Sequence, residues 1–177
     1  MPPLLTAAVS WRSGLAAILL MAACMVSAEE YLDRDAFLAL AFADSQPEMA
    51  TLWLTDANRE AAREAVGWAP AALRLRYWSS GSRTAWILEE IGKEKPITLG
   101  VVISDRQIAR LEVLAFRESR GWEIRYPFFT EQFSGLELDT EGYLSEPIDG
   151  ITGATLSVRA TERVARLALW LDAQVRG

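Results

Sequence analysis

A short stretch near the C-terminus, residues 149–160, gathers residue types that suit phosphate binding. It reads DGITGATLSVRA, an acid and a Thr-Gly-Ala-Thr turn followed by the start of a regular apolar pattern. Gly153 permits a tight backbone, Ala154 leaves the approach open, and Thr155 places its hydroxyl beside the first free N–H groups of a helix. These N–H groups and the helix dipole favour an anion. On spacing alone the pattern is more typical of a simple N-cap by Thr152 or Thr155, because such caps are common, and physical reasoning alone does not separate the two interpretations.

The residue types that the chain lacks exclude several kinds of chemistry. It contains no histidine and one cysteine, Cys24. Ser-His-Asp and Cys-His catalytic sites, c-type haem attachment and ordinary zinc sites are therefore excluded. We predict no catalytic side chain and no metal site, so that any redox chemistry comes from a bound organic cofactor.

The first 28 residues have the pattern of an export signal. Arg12 precedes an apolar stretch at residues 14–26, and a small-residue V-S-A site ends at Ala28. This apolar stretch is shorter than the roughly 20 residues that a membrane-spanning helix needs. We predict cleavage after Ala28 and a periplasmic location. An uncleaved anchor in the inner membrane is the alternative, and lipidation of Cys24 in a weak lipobox is a minor one.

The composition indicates one acidic globular domain. Hydrophobic residues make up 51% of the chain and charged residues 24%, which is enough apolar material for a core. Without residues 1–28 the chain carries 17 basic and 24 acidic residues, a net charge of −7. Such a surface has no electrostatic footprint for nucleic acid, so we exclude nucleic acid as a partner.

The elements that must position residues 149–160 follow from the hydrophobic periodicity. Helical spacing predicts a helix at residues 33–44 after an Asp cap, a second at 56–66 stopped by Gly67, and a last one at 156–174. Residues 149–155 thus lie directly before the last helix.

Period-two alternation predicts the strands. They are expected at residues 51–54, in a hairpin of 73–78 with 83–90, and in a second pair of 96–104 with 107–117. An aromatic helix or turn at residues 126–133 and an irregular acidic connection at 134–147 follow. We predict a single α+β domain in which helices pack on one antiparallel sheet.

Residues 149–155 also resemble a known motif. The run Asp149-Gly150-Ile151-Thr152-Gly153-Ala154-Thr155 is similar to the D-x-x-[S/T]-G-A-T motif of the FMN-binding domain family. That family includes the flavin-carrying subunits of sodium-pumping NADH:quinone oxidoreductase and of the Rnf complex. The resemblance implies an exported domain that receives FMN through a phosphoester on the last threonine, placed there by a dedicated flavin transferase.

Site residues follow from the same resemblance. It implies that Thr155 carries covalent FMN at the N-terminus of the last helix. The positions around the phosphate that it implies are Asp149, Thr152, Gly153, Ala154, Leu156 and Ser157.

A second part of the resemblance lies upstream. The strand pair at 96–117 is followed by an E-[S/T]-x-G turn, here Glu118-Ser119-Arg120-Gly121. This implies that Glu118, Ser119 and Gly121 also bind the cofactor. The family turn often continues with a second glycine two residues later, whereas this chain has Trp122-Glu123.

Other side chains near this turn could face the flavin ring. Aromatic residues could stack on it or belong to the core, and an arginine could stabilise a reduced anionic flavin or be solvated. The candidates are Trp122, Tyr126, Phe128, Phe129, Arg120 and Arg125.

We therefore expect a signal peptide at 1–28, an N-terminal helical segment at 29–72 and an FMN-binding domain at 73–177. The expected function is that of an electron-transfer flavoprotein, with the flavin transferase and a membrane-associated redox protein as partners. Two alternatives stay open. They are an FMN-dependent reductase of a small substrate, and a non-redox binding module.

Overall fold

The computed structural model of the protein describes residues 29–177, so the expected export signal and Cys24 lie outside the described residues. Residues 29–177 form a six-stranded antiparallel sheet and four α-helices. The strands are β1 (Glu29–Glu30), β2 (Glu48–Trp53), β3 (Arg74–Ser80), β4 (Arg83–Ile91), β5 (Pro96–Ser104) and β6 (Gln107–Phe116). The helices are α1 (Arg34–Ala41), α2 (Asp56–Val66), α3 (Pro127–Thr130) and α4 (Thr155–Arg176). The prediction of a single α+β domain is confirmed.

The centre of the sheet is a meander of consecutive hairpins. Strand order is β1-β6-β5-β4-β3-β2, and β4 pairs with β5 along its whole length, from Arg83 opposite Ser104 to Ile91 opposite Pro96. The β5–β6 turn consists of Asp105 and Arg106, both with positive φ, which gives a two-residue loop the twist of its flanking strands. The predicted hairpins therefore lie where the alternation places them.

Both edges of the sheet come from residues 29–72. Strand β1 pairs with the end of β6, with Glu29 opposite Phe116, and β2 pairs with β3 along its full length. Helix α2 ends at Gly67, which adopts the left-handed conformation (φ 74°), and its Val66 belongs to the same core as α4. The sheet thus crosses the expected boundary at residue 73, and the segment before it contains strands as well as helices.

Helices cover the sheet on both faces. Helix α4 packs across β4, β5 and β6 with the fully buried side chains of Val164, Leu167 and Leu171. On the other face, Phe37 of α1 lies over Gly100 so closely that a Cβ at position 100 would stand 2.6 Å from its ring. Burial on both faces fixes the strand register and therefore the positions of the strand ends.

The direction of α4 determines at which end of the sheet its N-terminus lies. Near the end of β4, Arg163 Nε donates to Glu90 Oε1 at 2.9 Å, whereas near the start of β4 Thr84 Oγ1 donates to Asp172 Oδ1 at 2.6 Å. Helix α4 therefore runs opposite to β4 and begins at the end of the sheet where β4 and β6 finish. Among residues 29–177 no helix combines the length and apolarity needed to cross a bilayer.

Candidate functional site

Helix α4 begins without a side-chain cap. Its N-cap position is Ala154, and no side chain within residues 29–177 accepts a hydrogen bond from its first turn. The chain caps its other long helices in the usual way, since Asp33 accepts from the amide of Ala36 in α1 and Thr55 accepts from the amide of Asn58 in α2. The interpretation of residues 149–155 as a simple Thr cap is therefore wrong.

The amide groups of the first turn of α4 are left for another acceptor. The first intrahelical hydrogen bond runs from Val158 N to Ala154 O at 3.0 Å. The N–H groups of Thr155, Leu156 and Ser157 precede it, so they have no acceptor within the helix. Together with the helix dipole they form a site that favours a negative charge.

Open space surrounds this helix start. Gly153 adopts φ +85°, and no atom lies within 4 Å of the place where its Cβ would be. The side chains of Thr152 and Thr155 are exposed, whereas Ala154 is buried and lies beside Gly121. A phosphate group can therefore approach the Thr155 hydroxyl and the free amides from solvent, so the residues present fit a phosphate-bearing cofactor.

The second predicted segment contacts the first. Gly121 has φ +88°, and a Cβ at this position would stand 2.8 Å from Ser157 Oγ and 3.2 Å from Ala154 Cβ. The turn after β6 thus packs directly on the start of α4. The structure brings together two groups of predicted site residues that are far apart in the sequence.

Glu118 holds the neighbouring β4–β5 turn in place. Its Oε1 atom accepts hydrogen bonds from the backbone amides of Lys93 at 2.5 Å, Glu94 at 2.6 Å and Lys95 at 2.8 Å. Burial opposes ionisation of this carboxyl, but the three amide donors and the charge of Lys93 outweigh it and lower its pKa from the usual value. Sequence reasoning missed this role, because it depends on the spatial position of residues 93–95. Ser119, the next predicted residue, is exposed.

Gln132 ties the 149–155 loop to the aromatic segment. Its Oε1 accepts from the Asp149 amide at 2.7 Å, and its Nε2 donates to Phe128 O at 3.2 Å. The side chain of Asp149 itself is exposed. Sequence reasoning missed Gln132 because a lone glutamine in an aromatic stretch carries no pattern of its own.

The aromatic candidates divide into core and surface. Phe129 is fully buried and packs edge-to-face on Phe133 with ring centroids 5.4 Å apart, so it cannot face a flavin. Trp122, Tyr126 and Phe128 are exposed. The ring centroid of Tyr126 lies 5.6 Å from that of Trp122 and 6.1 Å from that of Phe128. We call these three residues the aromatic patch.

Of the two candidate arginines, Arg125 contacts the aromatic patch. The guanidinium of Arg125 lies 4.4 Å from the ring centroid of Tyr31, 5.1 Å from that of Trp122 and 5.2 Å from that of Tyr126. Arg120 is exposed. A guanidinium over an aromatic ring is attracted by the ring, so these contacts are favourable.

Another concave surface lies elsewhere in residues 29–177. It is an open groove of about 760 Å³ between residues 68–72 and the second half of β4. Its lining is mainly apolar, and its two carboxylates are engaged, Glu89 with Arg117 at 3.6 Å and Glu90 with Arg163 at 2.8 Å. The groove offers no group that sequence reasoning connects with chemistry, so we treat the start of α4 as the candidate site.

A comparison with protein families covers the same region of the chain. Residues 92–169 match the family model of the FMN-binding domain, whereas no curated protein matches the chain. The matched interval contains the turn at 118–121, the loop at 149–155 and most of α4. Residues 92–169 are therefore similar to the FMN-binding domain family, and this similarity indicates FMN as the cofactor.

Proposed function

We propose that this protein is an exported electron carrier in which FMN is joined by a phosphoester to Thr155. The observation that carries the proposal is the start of α4. There an exposed threonine hydroxyl stands at the first helical position, beside amides that no side chain of the described residues caps. In an ester of this kind Thr155 Oγ and the FMN phosphate are joined with net loss of water, which leaves one negative charge on the diester. That charge suits a helix N-terminus.

Residues around Thr155 support the linkage. Gly153 and Ala154 leave room for the phosphate, and Gly121 lets the neighbouring turn pack close behind it. Arg159 lies one turn further along α4, is exposed, and also interacts electrostatically with Glu162. Helical side chains point towards the N-terminus, so the guanidinium adds positive charge on the side of Thr155.

FMN supplies the exchange of one or two electrons, a chemistry that the side chains of this chain cannot perform themselves. The role of the protein is to hold and orient the cofactor. A covalent tether keeps the local flavin concentration high without tight binding, which is useful outside the cytoplasm where a dissociated cofactor would be lost by dilution.

The position of Glu29 determines which end of the domain a retained N-terminal anchor would hold near the membrane. Strand β1 enters the sheet beside Phe116, two residues before Glu118, at the same end as the start of α4. Whatever precedes residue 29 therefore joins the domain at the end that carries the candidate site. A retained N-terminal anchor would hold that end close to the inner membrane.

Variants of Thr155 test the linkage. After co-expression with a flavin transferase, the wild-type band should fluoresce as flavin on a denaturing gel, Thr155→Ala should not, and Thr155→Ser should regain the signal because it restores a hydroxyl. Thr140→Ala, which removes another exposed threonine in a loop, is the matched control and should keep the signal. A Thr155→Ala band as bright as wild type would contradict the proposal.

A further inference from the structure

The aromatic patch is unusually exposed. Trp122 is 40% exposed, Tyr126 38% and Phe128 59%, although Phe129 and Phe133 close by are fully buried. Exposed large apolar surface that is contiguous, rather than scattered, marks a binding surface. The aromatic patch is therefore an apolar surface that the fold leaves exposed to solvent.

The patch adjoins the start of α4 at two points. Trp122 directly follows Gly121, which packs on Ala154 and Ser157. Phe128 is connected by its carbonyl oxygen to Gln132, which in turn accepts from the Asp149 amide. The rings and the loop at 149–155 are thus parts of one surface.

This surface is also held in a fixed arrangement. Arg125 contacts the rings of Tyr31, Trp122 and Tyr126 with its guanidinium, and Tyr126 contacts Trp122 edge-to-face. A binding surface that is ordered before its ligand arrives loses less conformational entropy on binding.

We propose that the aromatic patch is the surface on which the isoalloxazine ring of FMN lies, with Trp122 as the main stacking residue. This inference rests on the proposed function, because a phosphate fixed at Thr155 limits the flavin ring to the surface that its ribityl chain can reach. Stacking of a flat aromatic ring on tryptophan is favourable, and the tether makes even a weak contact sufficient.

Flavin fluorescence tests the assignment, because tryptophan and tyrosine quench it on contact. The experiment uses the full chain loaded with FMN, with the flavin content of each sample first measured by mass spectrometry. Trp122→Leu should keep full loading and fluoresce severalfold more strongly per bound flavin than wild type. Trp53→Leu is the matched control, since Trp53 is 63% exposed on edge strand β2 outside the patch, and it should leave the fluorescence unchanged.

A second variant covers the case in which Trp122→Leu does not fold. Trp122→Phe keeps an aromatic ring but quenches weakly, so its fluorescence should also rise. Wild-type flavin as bright as free FMN, or a Trp122→Leu signal equal to wild type together with an unchanged Tyr126→Leu signal, would overturn the assignment. A chain that carries no flavin at all would instead overturn the proposed function, and the mass measurement distinguishes this result from the others.

Discussion

Gly121 and Ser157 are in such close contact that a Cβ on the glycine would stand 2.8 Å from the serine Oγ. The contact joins the turn that follows β6 to the first turn of α4. It requires glycine for two independent reasons, a backbone with φ +88° and the absence of space for a side chain. The relative position of the two segments of the candidate site depends on this contact.

Substitution of Gly121 should therefore damage both stability and flavin loading. We expect Gly121→Ala to lower the free energy of unfolding by about 2–5 kcal/mol, since backbone strain and overpacking add. Gly135→Ala is the control, because Gly135 also has positive φ (+80°) but has no atom within 4 Å of its Cβ position. It should cost only about 1–2 kcal/mol, from strain alone. Equal losses in urea unfolding would show that the contact with Ser157 contributes nothing.

Gln132 should keep the 149–155 loop ordered. Gln132→Ala removes the acceptor of the Asp149 amide, so hydrogen exchange at Asp149 should become faster, and stability should fall by about 1 kcal/mol. Gln174→Ala alters an exposed glutamine near the end of α4 and should change neither quantity. An Asp149 amide that exchanges equally slowly in Gln132→Ala would contradict the role of this hydrogen bond.

Glu118 should contribute stability that depends on pH. Its pKa in the folded protein is lowered, so the contribution is present above the pKa of the unfolded chain, about 4.3, and is lost as the pH falls through the folded value. We expect Glu118→Gln to be less stable than wild type by roughly 1–3 kcal/mol at pH 7, with a difference that shrinks below about pH 4. Thermal unfolding across this range measures it.

Glu137→Gln is the control for this series. Glu137 is an exposed glutamate outside the candidate site. Its stability difference from wild type should be close to zero at every pH. A Glu118→Gln difference that does not change with pH would indicate a loss of packing rather than of charge.

The far end of α4 should affect stability without affecting the flavin. Thr84 Oγ1 donates to Asp172 Oδ1 and accepts from Trp86 Nε1, and all three residues are buried. Thr84→Val leaves a carboxylate and an indole N–H without this partner, which should cost about 2–4 kcal/mol. Asp172 lies about 25 Å along the helix from Thr155, so flavin loading should be unchanged.

Thr51→Val serves as the control for Thr84→Val. It makes the same replacement at an exposed position on edge strand β2, where valine fits the pleated surface. It should leave the free energy of unfolding within about 0.5 kcal/mol of wild type. If Thr84→Val were equally neutral, the hydroxyl between Asp172 and Trp86 would not stabilise the fold.

Most of the fold can be predicted from local patterns in the sequence. Helix α2 has the predicted bounds because Gly67 ends it in the left-handed conformation, and the β5–β6 hairpin follows from alternation on both sides of Asp105 and Arg106. Strand β1 was not predicted. Its two residues are too few for a period, and only pairing with the end of β6 makes them a strand.

The candidate site depends more on three-dimensional neighbours. The motif and the turn at 118–121 are visible in the sequence, but their contact through Gly121 is long-range. The sequence also leaves open whether a threonine caps α4, and the uncapped helix start decides against it. Neighbouring Phe128 and Phe129 have opposite environments because short helix α3 turns one outward and the other into the core.

The most direct test of the account is the intact mass of the exported protein, co-expressed with a flavin transferase and measured after denaturation. We expect the polypeptide mass plus that of FMN minus water, with the addition confined to the peptide that contains Thr155. A bare polypeptide, or an addition on another peptide, would contradict the central claim that the start of α4 carries the flavin.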